Sequence, residues 1–171
     1  MELEKSCVDF VESLLDRDKD YFSDRNSTDT LWELFLAGIA CKSELLLSHC
    51  YSAIDKNAAK FFTWLPLTEK DVSVVWLADI MRRDTLYCPE YLIYRSVIQF
   101  AEKECKRRCM ETSAANCRKV LGPLFLLIRF PQMTVSEIRK GPREVRDPVC
   151  VLLVSASPIL NFAWLLERYL D

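Results

Sequence analysis

The chain has 171 residues, half of them apolar and 28% charged, with 23 Lys plus Arg against 25 Asp plus Glu. A domain of that size buries roughly 70% of the surface its unfolded chain exposes, enough for a core without disulfide or metal staples. Three glycines and a single His exclude glycine-rich phosphate loops and multi-histidine metal sites, and a net charge of -2 gives no broad attraction to nucleic acid or an anionic membrane.

From the N-terminus, Leu3, Val8, Val11, Leu14 and Leu15 share one helical face, and the charged run Asp16 to Asp20 closes it. Glu2, Glu4, Lys5, Asp9 and Glu12 break up any apolar stretch here, so no secretory signal is read and a cytoplasmic, reducing setting is expected. Ser23 to Asp29 reads as a polar linker. Leu31, Leu34, Phe35 and Ile39 then recur at helical spacing. Ser43 is placed to cap a second helix, whose stripe runs Leu46, Leu47, Cys50, Tyr51, Ile54, Ala58 and Phe61. The short connection between the two predicts an antiparallel hairpin.

Trp64-Leu65-Pro66 ends this stripe, because proline disfavours a helical conformation in the residue before it. A short helix is expected over Ser73 to Arg82, burying Val74, Leu77 and Met81 and capped by either Thr68 or Ser73. Asp84-Thr85-Leu86 reads as a turn, and Pro89 fits the first position of the next helix. That helix turns Ile93, Tyr94, Val97, Ile98, Ala101 and Cys105 inward and Glu102, Lys103, Lys106 and Arg107 outward. Thr112 or Ser113 starts another, with Cys117, Val120, Leu121, Leu124 and Leu127 inside and Phe130-Pro131 at its end. Thr134 to Glu137 has the form of a capping box. No stretch alternates with period two over the length of a strand, so the fold class is all-α, built of stacked antiparallel helix hairpins. Residues 149–166 carry no formal charge, at the lower edge of spanning length, but Ser155, Ser157, Pro158 and Asn161 interrupt them. A buried terminal helix is the preferred reading; a protein anchored to a membrane by 149–166 is the alternative.

The chemistry-bearing residues each have a bland explanation that weighs more. The eight cysteines include no C-x-x-C pair; Cys105 and Cys109 lie four apart with Cys117 eight further on, and they read as small buried hydrophobes in place of a zinc site. His49 and Cys50 are adjacent, and neighbouring side chains on a helix diverge by about 100°, so they do not form a nucleophile with its base. Lys103, Lys106, Arg107, Arg108, Arg118, Lys119, Arg139, Lys140, Arg143 and Arg146 are interleaved with Glu102, Glu104, Glu111, Glu137 and Glu144, the pattern of solvated faces and not of a nucleic-acid footprint. Asp16, Asp18 and Asp20 sit in a charged connector, and Trp32, Trp64, Trp76 and Trp164 are expected to fill helix junctions. No catalytic, cofactor-binding or metal-binding residue is assigned, and no small-molecule substrate is expected.

Particular strings point further. Cys7-Val8-Asp9-Phe10, Ile54-Asp55-Lys56-Asn57, Arg83-Asp84-Thr85-Leu86, Ala101-Glu102-Lys103-Glu104-Cys105 and Val120-Leu121-Gly122 occur in that order, followed by Leu127-Ile128-Arg129-Phe130-Pro131-Gln132-Met133-Thr134, Glu137 and Gly141-Pro142. From about Cys7 to Pro142 this closely resembles the BACK domain of the BTB-BACK-PHR family. The resemblance implies a non-enzymatic spacer in a ubiquitin ligase adaptor. In that family a BTB domain binds cullin-3, the first BACK helices extend the contact, and a PHR domain recruits the substrate. Where many relatives carry an acidic residue and a proline between the first two BACK helices, this chain has Cys41-Lys42-Ser43-Glu44, and from Arg146 onward it no longer matches. The expected organisation is a helix over 1–20 leaving a BTB domain, a BACK-like domain over 21–145 and a divergent apolar tail over 146–171, with the main cullin and substrate surfaces outside the chain. The partner surface to test is the hairpin of Leu31–Ile39 and Leu46–Ile54, at Leu31, Leu34, Phe35, Leu46 and Cys50, although the same spacing assigns most of these to the core.

Overall fold

The computed structural model describes residues 2, 5–7, 9–10 and 25–141. The charged run 16–20, the domain boundaries at 20 and 145, the apolar segment 149–166 and the tail 146–171 lie outside them. The regular structure of the described residues is entirely helical, without a strand. Two compact units divide the chain at Cys88–Pro89.

In the first unit, Glu2, Lys5–Cys7, Asp9 and Phe10 are helical, and the Ser6 hydroxyl donates to the Glu2 carbonyl at 3.1 Å. Helices α1 (Arg25–Cys41), α2 (Glu44–Lys56), α3 (Ala58–Trp64) and α4 (Val74–Met81) follow. The α1–α2 hairpin closes as predicted, with Ser43 accepting the Leu46 amide as its cap. Two details differ from the sequence reading. The polar linker is already helix from Arg25, because Ser27 and Thr28 are buried and Asp29 takes tertiary partners instead of ending the chain's regular structure. The stripe from Leu46 to Phe61 is two helices, not one. Asn57 (φ -116, ψ 26) breaks it, since its side-chain amide donates to the Ala53 carbonyl at 3.1 Å while its own carbonyl accepts the Lys60 and Phe61 amides. Of the two caps the sequence left open for α4, Ser73 is the one used.

The second unit holds α5 (Glu90–Arg107), α6 (Ala114–Leu121), 3₁₀ segments Gly122–Leu127 and Phe130–Gln132, and α7 (Val135–Lys140). Pro89 stands one residue before the position expected of it, as the extended residue at the cap (ψ 132). Ser113 caps α6, accepting the Asn116 amide, and Thr134 with Glu137 forms the capping box. Helix α6 stops at Leu121 and not at Phe130. Gly122 enters the left-handed region (φ 54) and Pro123 has no amide to donate, so the α-helical ladder gives way to 3₁₀. Val97, Ala101, Cys105, Leu121 and Leu124 are fully enclosed in this unit's core.

Candidate interaction surface

The α1–α2 hairpin is built around aromatic rings. Trp32 stacks on Phe35 with ring centres 5.3 Å apart and lies 6.1 Å from both Phe61 and Trp64, while Phe35 meets Tyr51 edge-on at 5.2 Å. The structure places Leu31, Phe35, Leu46 and Cys50 within this core and leaves Leu34 half-buried. Four of the five side chains singled out for the partner surface therefore hold the hairpin together. The apolar side chains that α1 and α2 offer outward are their neighbours Leu36 and Leu45, the latter 52% exposed. The apolar stripes read from spacing include Leu46 and leave out Leu36 and Leu45, so the partner surface proposed from the sequence falls on the enclosed face of the hairpin.

Two carboxylates tie the unit across long sequence separations. Asp29 accepts the Trp64 indole N–H at 2.8 Å and the Thr68 hydroxyl at 3.1 Å. Asp55, almost enclosed, accepts Nε and Nη2 of Arg83 at 2.9 and 2.6 Å and the Thr85 hydroxyl at 2.6 Å, and Arg83 lies 4.5 Å over the Tyr51 ring. Burial pushes the Asp55 carboxyl up, but the Arg83 and Thr85 hydrogen bonds and the Arg83 charge outweigh it and hold it below the usual carboxylate range. The Tyr87 amide donates to the Asp55 carbonyl at 3.3 Å, so the segment after α4 is fastened twice to one residue of α2.

The second unit uses the same device. The Arg129 amide donates to Oε1 of Glu90 at 2.8 Å, joining the start of α5 to the loop between the 3₁₀ segments. Burial raises the Glu90 carboxyl above its ordinary value, with the Arg129 amide and charge opposing. Glu104 faces inward on α5 and is satisfied by Arg107 at 2.9 Å and Arg108 at 3.4 Å. Part of the basic run is thus spent on an intrahelical ion pair, and Arg118 lies 5.3 Å over the Phe125 ring. Gly141 packs so closely on Tyr94 that a β-carbon there would come within 2.7 Å of the ring.

The remaining chemistry is muted. Burial, with the Cys7 thiol adding to it, pushes Cys50 up to about 12, and the side chain is fully enclosed beside a half-buried His49. Among the described residues no three His, Cys, Asp or Glu gather as metal ligands; Cys105 meets Cys117, and Cys109 is exposed. No helix of the described residues is long and apolar enough to cross a membrane.

The chain is 30% identical over 145 residues to BTB/POZ domain-containing protein 3 of Homo sapiens, covering 83% of this chain and 25% of that protein. It is 29% identical over 143 residues to BTB/POZ domain-containing protein 6-A of Danio rerio, covering 84% and 24%. With BTB/POZ domain-containing protein 6 of Xenopus tropicalis it shares 30% over 142 residues, covering 83% and 24%. The chain spans about a quarter of the length of these relatives. No family model matches it, and no solved structure does.

Proposed function

Since this chain is homologous, over most of its length, to a segment of the BTB/POZ domain-containing proteins 3 and 6, we propose that it is a BACK-type spacer of a cullin-3 ubiquitin ligase substrate adaptor. It works by protein contact, in the cytoplasm, without a reaction of its own. The observation carrying this reading is what the resembling strings do. Asp55 and Arg83-Thr85 meet in one ion pair, Glu104-Cys105 lies against α6, Gly122 ends α6, and Arg129 to Thr134 supplies the Glu90 tie and a helix cap. Each stiffens a unit, and none aligns a nucleophile, base or ligand set. Helices stiffened in this way suit a part that holds other polypeptides at a set reach.

The hairpin α1–α2 is the surface on which cullin-3 and a BTB domain would bear, through the exposed Leu36 and Leu45 next to the enclosed Leu31, Phe35, Leu46 and Cys50. The test is capture of cullin-3 by this chain carrying a grafted BTB domain. The expected result is capture that falls about tenfold, the size of a weak hot spot, in Leu45→Asp with its melting temperature unchanged. Absence of capture by the grafted chain, or capture no better than that of the BTB domain alone, overturns the proposal.

A further inference from the structure

Cys105 on α5 and Cys117 on α6 lie sulfur to sulfur at 4.0 Å, with the Cys105 thiol donating. Both are buried, Cys105 completely. A disulfide requires about 2.05 Å between sulfurs, so closing one would bring the two roughly 2 Å nearer. One of the pair is reachable. Cys117 forms part of the wall of an open cleft of about 80 Å³ that also includes Ile98, Glu102, Arg118 and Phe125, whereas Cys105 is not among its lining residues. That volume admits a molecule the size of a peroxide.

We infer that Cys105 and Cys117 are a latent redox pair, closed to a disulfide by a hydroperoxide. The peroxide transfers one oxygen to the Cys117 sulfur, giving a sulfenic acid and releasing water from hydrogen peroxide or an alcohol from an organic hydroperoxide. The Cys105 thiol then displaces the hydroxyl of that sulfenic acid, the S–S bond forms, and its proton leaves in a second water. The pair loses two electrons in total and the peroxide gains them. Desolvation, reinforced by Cys105, holds the Cys117 thiol up at about 11, so little thiolate is present near neutral pH and the first oxidation step is slow. The product links α5 to α6 across the Arg108–Ser113 connection. This inference is independent of the partner proposed above.

The test treats the folded full-length chain with hydrogen peroxide and maps its disulfides by mass spectrometry without reduction. A Cys105–Cys117 linked peptide is expected, together with a mass lower by two hydrogens and a melting temperature higher by several degrees, all reversed by dithiothreitol. Cys105→Ser should leave Cys117 as a sulfenic acid that dimedone labels, and Cys109→Ser should change nothing. A dominant link through Cys41 or Cys109, which are exposed, or a linked product with a lowered melting temperature, overturns the inference. The wild-type map alone decides the connectivity if Cys105→Ser fails to fold.

Discussion

Asp55 joins α2 to the segment after α4 through both its side chain and its backbone. Its carboxylate accepts three side-chain donors while its backbone carbonyl takes the Tyr87 amide. Its carboxyl is held below the ordinary value of 3.8, so the folded state favours the ionised form. The stability it contributes is therefore complete above that ordinary value and is lost as pH falls through the lowered one. Asp55→Asn keeps the shape and loses the charge. We expect a cost of about 2 kcal/mol at pH 7, below the roughly 3–5 kcal/mol of a fully enclosed pair, because Arg83 remains 31% exposed. Urea denaturation at neutral pH and again in acid measures both points; the difference between variant and wild type should shrink as the pH falls below the ordinary carboxylate value. No period or propensity announces this contact, since 28 residues separate Asp55 from Arg83. Its only trace in the sequence is that both residues fall in strings shared with the BACK resemblance.

Among the elements, what the sequence showed plainly was local and what it hid was tertiary. Ser43, Ser113 and the Thr134–Glu137 box stand at their helix starts as their side-chain chemistry requires, because a cap acts within three residues of itself. The stripes on α5 and α6 were equally legible. The helical state of Ser27, Thr28 and Asp29 was not, because Asp29 is held by Trp64 and Thr68, 35 and 39 residues away. Nor was the joint at Asn57 visible, where a polar side chain wins a carbonyl from the helix within an unbroken apolar stripe. The candidate surface met a different limit: the stripe that spacing identifies is the enclosed face, so residues chosen from it, Leu46 among them, hold the core, while Leu45 outside the stripe is exposed. Helix ends supply a further prediction. Both α1 and α5 finish in a left-handed residue that is not glycine, Lys42 and Cys109, each with φ 53. After each, the last carbonyls are taken in the Schellman pattern, Ser43 to Gly38 at 3.0 Å and Met110 to Cys105 at 2.8 Å. Lys42→Gly and Cys109→Gly should each raise stability by about 0.5–1 kcal/mol, and the double variant should show the sum by thermal denaturation, since the two ends lie in separate units.

At the scale of the whole molecule, the division at Cys88–Pro89 sets where the chain is vulnerable. Tyr87, 87% exposed, stands just before it. Brief chymotrypsin treatment should cut first after Tyr87, and Asp55→Asn should speed that cut several-fold by loosening the segment from Arg83 to Tyr87, as gel electrophoresis with N-terminal sequencing would record. The long ties also have a direction in time. Asp29 finds Trp64 and Thr68, and Asp55 finds Arg83 and Thr85, so these ties of the first unit are available once residue 87 has emerged. Glu90 must instead wait for the Arg129 amide. On a translating ribosome the N-terminal unit can finish its own fastening while the other is still being synthesised, and the opening turn of α5 stays unanchored until nearly forty more codons have been read.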